Sequence, residues 1–330
     1  MSICIFNPWH DMALAYGQQP FTPSSFVFDF QRHMADIAEV WNDSAETDRI
    51  EPWGWDYFTK QRLIKQGYDT SLIPTDEDIE TLRQLSHRGT FIPLLHTLRN
   101  IDGTIGESRC LDDERECALS ALRGMMMKAP WSSSGRGVRL VNSENDINWA
   151  RNIIRQQGAL MAEPYYNKVK DFALEFHWNG RKTEYIGLSL FTNSGYAYTG
   201  NVVASEEKKR SMLGKYVSLQ TIDAICDKIK MWCDATFAPL HIPTPFGVDM
   251  MLIVEGERML IHPCVEVNLR RTMGYVALLL YKKIISGEYN NNNHFLLTNE
   301  TNENSVYHFR VSANGGKWSV SEQGMESGQW

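Results

Sequence analysis

The sequence lacks the cysteine patterns of zinc sites and disulfide frameworks. Its six cysteines, among 330 residues, include no CxxC pair and no spacing that is typical of zinc ligands. Cys226 and Cys233 are seven residues apart on a predicted helix, and two core positions on one helix face account for them better than a site. The pattern favours reduced thiols, as in a cytoplasmic protein.

Long apolar runs and basic clusters are also missing. No segment approaches the length of a membrane-spanning helix, and the first residues have neither the basic region nor the apolar run of a signal peptide. Net charge is −7, from 33 basic and 40 acidic residues, without a basic stripe interleaved with aromatic residues. We therefore expect a cytoplasmic protein that binds neither membranes nor nucleic acids.

Two common nucleotide-binding motifs are absent. No GxGxxG follows the first predicted strand, residues 2–6, so a dinucleotide-binding fold is not indicated, and the chain has no GxxxxGK[ST] loop. The loop after that strand carries His10 and Asp11. These side chains could contact a substrate at the end of the strand, or they could be a turn residue and a helix cap, so their roles stay open.

The length allows two or three compact units. Short apolar strands alternate with predicted helices at 31–41, 55–66 and 76–85, which is typical of a small α/β unit that ends near residue 88. Residues 109–122 are predicted to form a helix, because acidic residues crowd its start. Residues 273–285 are predicted to form a helix that ends at Gly287.

The most informative pattern lies in residues 246–274. Two apolar strands flank a predicted turn at Glu255 and Gly256. Because side chains alternate along a strand, Glu266 and Asn268 share one face, and the turn can bring Asp249 to the same face. Three oxygen ligands of this kind suit a magnesium ion that also binds substrate phosphates.

Two further features of this hairpin bear on its function and its register. Arg270 and Arg271 follow it at once, and guanidinium groups beside metal-binding carboxylates favour a further anion between them, such as a polyphosphate. Pro263 can bulge the second strand and shift its register. The alternative is a hairpin whose polar residues face solvent.

Residues 124–141 contain a second candidate for phosphate binding. A strand ends at Lys128, a loop rich in serine and glycine follows, and a second strand leads away from it. A permissive backbone lets amide groups approach phosphate oxygens, and the lysine supplies a positive charge. A flexible hairpin tip would explain the same composition.

Residues 160–176 complete an ordered set. An apolar strand reaches Glu163 and a short hinge, leaves through a polar loop and returns as a strand. The order of lysine-ended strand, glycine–serine lid, glutamate-ended strand, aspartate strand and Glu-x-Asn strand with a following arginine resembles the ATP-grasp superfamily. The resemblance covers about residues 86–286. It implies an α/β protein with α+β lobes and an ATP-grasp fold: an N-terminal α/β substrate-side domain at 1–88, an ATP-grasp domain at 89–330, and a lid at about 124–200.

The resemblance also implies residue roles. The nucleotide would be bound by Arg88, Lys128, Ser132, Ser133, Ser134, Gly135, Gly137, Glu163, Pro164, Tyr165, Tyr166 and Asp171, with Asp171 preferred to Glu175 for the ribose. Magnesium would be bound by Asp249, Glu266 and Asn268. The catalytic residues would be Lys128, Arg270 and Arg271. Some members carry an arginine two residues before the metal aspartate, where this chain has Gly247, so Arg210 remains an alternative.

The function implied is that of an ATP- and Mg²⁺-dependent ligase. It would phosphorylate the carboxylate of a small molecule or peptide, and the acyl phosphate would then react with an amine or a thiol. A kinase that stops at the phosphorylated product and a regulatory module that binds a nucleotide without turnover are the alternatives. A homodimer is compatible with the sequence. The substrates stay undetermined, because acceptor residues lie in the first domain and in loops.

Overall fold

The computed structural model describes residues 2–42, 48–132, 135, 137–195, 197–288, 295–296, 305–311 and 317–322. The strands, in chain order, are β1 Ser2–Ile5, β2 Arg49–Pro52, β3 Arg109–Leu111, β4 Met125–Lys128, β5 Val138–Leu140, β6 Leu160–Pro164, β7 Lys168–Trp178, β8 Thr183–Ser194, β9 Ala197–Val203, β10 Thr244–Glu255, β11 Arg258–Asn268, β12 Phe295–Leu296, β13 Tyr307–Val311 and β14 Trp318–Glu322.

Helices cover most of the remaining described residues. The α-helices are α1 His10–Tyr16, α2 Ser25–His33, α3 Tyr57–Lys65, α4 Asp76–Leu85, α5 Ile92–Leu98, α6 Leu119–Leu122, α7 Glu144–Gln157, α8 Glu206–Leu213, α9 Leu219–Thr236 and α10 Met273–Ile285. Turns of 3-10 helix lie at Ala35–Trp41, Thr70–Leu72, Arg88–Phe91 and Glu114–Glu116. The predicted α/β class is confirmed. In the part of the chain that is described, no helix is both long and apolar enough to cross a membrane.

Three sheets organise the described strands. β1 and β2 pair in parallel, β3, β6, β4 and β5 form an antiparallel sheet in that order, and eight strands form a large sheet in the order β11-β10-β7-β8-β9-β13-β14-β12. Within the large sheet, the neighbours from β11 to β14 are antiparallel. The β10–β11 hairpin therefore forms the edge of the large sheet.

The two faces of the large sheet differ in polarity. One face places Phe172, Leu174 and Val248 in the main hydrophobic core, to which α5 and α9 also contribute residues. On the other face, alternation and register bring together Asp171, Glu175, Asp249 and Glu266. The start of α10 lies over part of this second face. Acidic residues on a face that a helix partly covers mark this side as the candidate site.

The small sheet has its own core beneath α7. Leu111, Met127, Ile147 and Leu160 are among its buried members. Its described strands lie between Arg109 and Pro164, while 168–203 belong to the large sheet. The lid predicted at about 124–200 therefore differs from the limits of the small sheet, and the domain boundaries stay predictions.

Most of the helix predicted for residues 109–122 is wrong, because only Leu119–Leu122 is α-helical. Arg109–Leu111 instead pairs antiparallel with β6, and Leu111 is buried in the core of the small sheet. Asp113 accepts from the backbone N–H of Arg115, a local turn that aspartate favours over helix. The acidic cluster thus reflects a turn, and tertiary pairing of β3 replaced the expected first helical turn.

The N-terminal residues share cores with the rest of the chain. Phe6 and Trp53 pack in one cluster with Val276 of α10 and Phe309 of β13. Leu63 and Leu82 belong to the core of the large sheet. The predicted boundary near residue 88 thus does not separate two independent hydrophobic cores.

Candidate functional site

The predicted hairpin forms with the expected geometry. β10 and β11 join through Gly256 and Glu257, and Gly256 has a φ of 60°, a conformation that glycine adopts at low cost. Asp249 lies directly opposite Glu266, and the register shifts between Asp249 and Met251, beside Pro263 of β11. Both the convergence of the two carboxylates and the predicted register shift are therefore present.

Asp249 is the electrostatic centre of this group. Asn268 Nδ2 donates to Asp249 Oδ2 at 3.0 Å. Burial, together with the charge of Glu266 opposite, raises the pKa of Asp249 to about 8. Asp171 on β7 contributes in the same direction, so it lies near enough to interact. A cation bound between Asp249 and Glu266 would remove this repulsion.

Arg88 joins the serine loop to the predicted metal ligands. Its Nη2 forms an ion pair with Glu266 Oε1, and its Nη1 donates to Ser132 Oγ at 2.7 Å and to the carbonyl oxygen of Ala129. The side chain is largely buried at this junction, with 8% of it exposed. One guanidinium thus places the end of β4, the loop that follows it and the end of β11 side by side.

Lys128 connects the two sheets. Its Nζ lies 2.5 Å from Glu163 Oε2 and donates to the carbonyl oxygen of Val265 at 3.0 Å. Both charged side chains are less than a tenth exposed, so the pair is desolvated. Lys128 on β4 therefore contacts the residue of β11 that precedes Glu266.

The two arginines after β11 have different surroundings. Arg270 Nε donates to both carboxylate oxygens of Asp11, at 3.2 and 3.0 Å, and Nη2 donates to Asn268 Oδ1 at 2.9 Å. Arg271 instead forms an ion pair with Glu51 and donates to the carbonyl oxygen of Pro52 at 2.6 Å. Arg270 belongs to the carboxylate group, whereas Arg271 holds the loop against β2.

The loop between β4 and β5 is described only in part. Ser132 contacts Arg88, Gly135 has a φ of 70°, and a Cβ added to Gly137 would lie 2.2 Å from Ser132 Oγ. The backbone conformation thus favours glycine at 135, and Ser132 leaves no room for a side chain at 137. Ser133 and Ser134 lie outside the described residues.

The predicted hinge lies where β6 ends. Glu163 is buried, Pro164 is partly exposed, and Tyr165 is 62% exposed. The Tyr166 ring packs edge-on against buried His262, and burial raises the pKa of Tyr166 to about 12. Glu163 thus contacts Lys128, Tyr166 contacts β11, and Tyr165 is largely exposed to solvent.

Asp171 and Arg210 have polar partners elsewhere. Asp171 Oδ2 accepts from Lys168 Nζ at 2.7 Å and from Asn193 Nδ2 at 2.9 Å. Arg210 forms an ion pair with Asp223, close to the surface. Asp171 remains beside the carboxylate group, while no described contact links Arg210 to it.

Glu175, second to Asp171 among the candidates for the ribose, is the more deeply buried of the two. It is 1% exposed, its Oε2 has no hydrogen-bond partner among the described residues, and burial raises its pKa to about 8. A Cβ on Gly247 or Gly274 would lie within 2.7 or 2.1 Å of its carboxylate oxygens. The signal available in the sequence was an acidic residue between the apolar Leu174 and Phe176, on the same face of the strand as Asp171.

The donor set fits magnesium. No group of three or more His, Cys, Asp and Glu side chains in the described ranges is arranged to hold a metal ion. The predicted site offers two carboxylates and the amide oxygen of Asn268 instead, and magnesium commonly completes such a set with phosphate and water oxygens. The raised pKa of Asp249 is consistent with a carboxylate that needs a cation.

Comparisons with known proteins give low similarity. No family model and no curated protein matches the chain. Solved structures that are similar include an N5-carboxyaminoimidazole synthase of Aspergillus clavatus in complex with ADP and 5-aminoimidazole ribonucleotide, with 17% identity, a TM-score of 0.38 and coverage of 69% of this chain and 54% of that one. An N5-carboxyaminoimidazole synthetase of Staphylococcus aureus complexed with ADP has 13% identity, a TM-score of 0.45 and coverage of 94% and 81%.

A third neighbour is a biotin carboxylase–ATP complex from Campylobacter jejuni, with 12% identity, a TM-score of 0.46 and coverage of 80% and 59%. These neighbours are ATP-grasp enzymes, the superfamily that the sequence resembles. The chain spans about half the length of the first of them, 54%. With TM-scores below 0.5, the neighbours identify no activity, substrate or residue role of this chain.

Proposed function

We propose that the chain is an ATP-dependent ligase that activates a carboxylate and joins it to an amine or a thiol. The observation that carries the proposal is the position of Arg88, which contacts both Ser132 and Glu266. It lies between a glycine–serine loop and two opposed carboxylates, where a polyphosphate with its magnesium ion would be bound. Magnesium and a cytoplasmic location are part of this proposal.

The basic and the acidic residues of the site would bind different parts of MgATP. Arg88, Lys128 and the loop at Ser132 would bind the phosphates, and Asp249, Glu266 and Asn268 would hold magnesium. The adenine base of ATP would lie near Glu163 and Tyr166. Lys128 supports this arrangement, because it already contacts both the end of β6 and the backbone of β11.

The reaction is a phosphoryl transfer followed by an acyl transfer. A carboxylate oxygen of the substrate attacks the γ-phosphorus of ATP, and ADP leaves. The acceptor nitrogen or sulfur then attacks the acyl carbon, the C–O bond to phosphate breaks, and the acceptor loses its proton. Magnesium would neutralise phosphate charge, and Arg270, fixed beside Asn268, is placed to stabilise an anionic group at the reacting end.

The test uses Glu266→Gln, with Glu257→Gln as the matched control. Glu257 is exposed in the turn of the same hairpin. In Glu266→Gln, loss of the Arg88 ion pair and relief of repulsion with Asp249 oppose each other, so we expect the urea midpoint of the ligand-free protein to change little. Stabilisation by MgATP should largely disappear, and ATP-dependent phosphate release with a panel of carboxylates and amines should fall by orders of magnitude.

Two outcomes would refine or refute the proposal. ADP formation with a carboxylate alone, at a rate that no amine or thiol changes, would identify a kinase instead. A wild-type protein whose melting temperature is unchanged by saturating MgATP would contradict nucleotide binding altogether.

A further inference from the structure

A continuous series of side-chain contacts joins helix α1 to the predicted metal ligands. Asp11 binds the Nε edge of Arg270, Arg270 Nη2 donates to Asn268 Oδ1, and Asn268 Nδ2 donates to Asp249 Oδ2. Residues 11 and 270 are 259 positions apart in the sequence. An N-terminal carboxylate thus reaches the magnesium end of the site through two intermediates.

The guanidinium of Arg270 is fixed on three sides. Asp11 holds Nε, the carbonyl oxygen of Arg271 accepts from Nη1 at 3.1 Å, and Asn268 accepts from Nη2. Trp53 lies against the group, with 5.9 Å between the guanidinium carbon and the ring centroid. Because a guanidinium is planar and rigid, fixing Nε and both terminal nitrogens fixes the direction of every N–H bond.

The ion pair is also shielded from water. The side chains of Arg270 and Asp11 are 14% and 18% exposed. If Asp11 lost its charge, Arg270 would remain largely buried without an anionic partner on its Nε edge, and it would turn toward the carboxylates on β10 and β11. Asn268 would then lose the contact that orients its amide.

We propose that Asp11 is a positioning residue of the metal–nucleotide site. Its carboxylate holds Arg270, which orients the Asn268 amide so that Nδ2 bonds to Asp249 and Oδ1 is presented as a ligand atom. The inference rests on the proposed function, and it gives the N-terminal part of the chain a role at the predicted magnesium site. The carboxylate of Asp11 is engaged by Arg270, which distinguishes this role from a direct substrate contact.

The same interface supplies a matched control. Glu51 pairs with Arg271, the next residue, and Arg271 also donates to Pro52. This pair joins β2 to the same loop, without a described contact to Asn268 or Asp249. Glu51→Gln therefore removes a docking interaction of the same chemical type, while Asp11→Asn removes docking and positioning together.

The experiment measures metal binding rather than turnover. Mn²⁺ is titrated into the complex of full-length protein with ADP and followed by electron paramagnetic resonance, and ADP binding is measured separately in EDTA. For Asp11→Asn we expect Mn²⁺ affinity to fall by roughly 10-fold or more, as for other residues that orient a metal ligand. Metal-free ADP affinity should stay within about twofold, since no phosphate- or base-contacting residue is changed.

Three comparisons decide the result. Glu51→Gln should lower the urea midpoint but leave Mn²⁺ affinity unchanged. Asp11→Glu keeps the charge on a longer side chain, so it should restore part of the Mn²⁺ affinity that Asp11→Asn loses. Equal Mn²⁺ effects in Asp11→Asn and Glu51→Gln, or none in Asp11→Asn, would overturn the positioning role. If Asp11→Asn does not fold, Arg270→Lys decides instead, because lysine keeps the charge but lacks the planar group that contacts Asp11 and Asn268 together, and wild-type Mn²⁺ affinity in that variant would refute the role. A wild type that binds neither ADP nor Mn²⁺ would instead refute the proposed function.

Discussion

Glu175 should make the stability of this protein fall as pH rises. The side chain is 1% exposed and lies between Gly247 on β10 and Gly274 on α10. Burial raises its pKa from 4.5 to about 8, so the folded protein retains a proton that the unfolded chain releases. The perturbation we choose is Glu175→Gln, which keeps the shape and cannot ionise.

The sign and size of this change in stability follow from the linkage between proton binding and folding. A carboxyl group with a raised folded-state pKa contributes stability that is fully present below pH 4.5 and is lost as pH rises toward 8. Each pH unit within this window costs about 1.4 kcal/mol, so at pH 7 the wild type has lost about 3 kcal/mol that Glu175→Gln retains. Asp249 titrates in the same direction. The difference between the two proteins, rather than the wild-type slope, therefore isolates Glu175.

The assay is urea unfolding at a series of pH values from 5 to 8. The free energy of unfolding of Glu175→Gln minus that of wild type should grow by about 1.4 kcal/mol per pH unit in the middle of this range and by less at its two ends. Glu257 is exposed in the β10–β11 turn, so the free energy of unfolding of Glu257→Gln should change with pH in parallel with that of wild type. Parallel curves for Glu175→Gln and wild type across this range would refute the reasoning, because they would show that Glu175 is ionised in the folded protein.

Two further predictions concern the same region. Gly274→Ala would place a Cβ 2.1 Å from Glu175 Oε1 and 2.3 Å from Ser189 Oγ, so the urea midpoint should fall by an amount equivalent to about 1–3 kcal/mol. In a double-mutant cycle with Glu175→Ala, the two stability changes should be strongly non-additive, and simple additivity would argue against this contact. Lys128→Met should weaken ADP binding, measured by calorimetry, by roughly 10-fold or more, because a charge-assisted contact is lost. The double variant Lys128→Met/Glu163→Gln controls for the carboxylate of Glu163 that Lys128→Met leaves unpaired, and wild-type ADP affinity in both variants would exclude Lys128 from the site.

Local pattern was sufficient where neighbours in sequence are neighbours in space. The hairpin that opposes Asp249 and Glu266 depends on alternation and a short turn, and the helix Met273–Ile285 has the bounds that were predicted. Most of the helix predicted for residues 109–122 was wrong, because pairing with β6 is a distant interaction that an acidic cluster does not reveal. The pattern at Lys128 identified the residue but not its partners, Glu163 and Val265.

The sequence by itself determined that Asp249 and Glu266 oppose each other on paired strands, because period-2 alternation and turn chemistry act over a few residues. Only the tertiary structure decided how these residues are connected to the rest of the site. Arg88 reaches Glu266 across 178 residues, and Asp11 reaches Arg270 across 259. It also separated Arg270, which binds Asn268, from Arg271, which binds β2, although the two residues are adjacent and chemically identical. Long-range packing sets which way each guanidinium points, and no local rule contains that information.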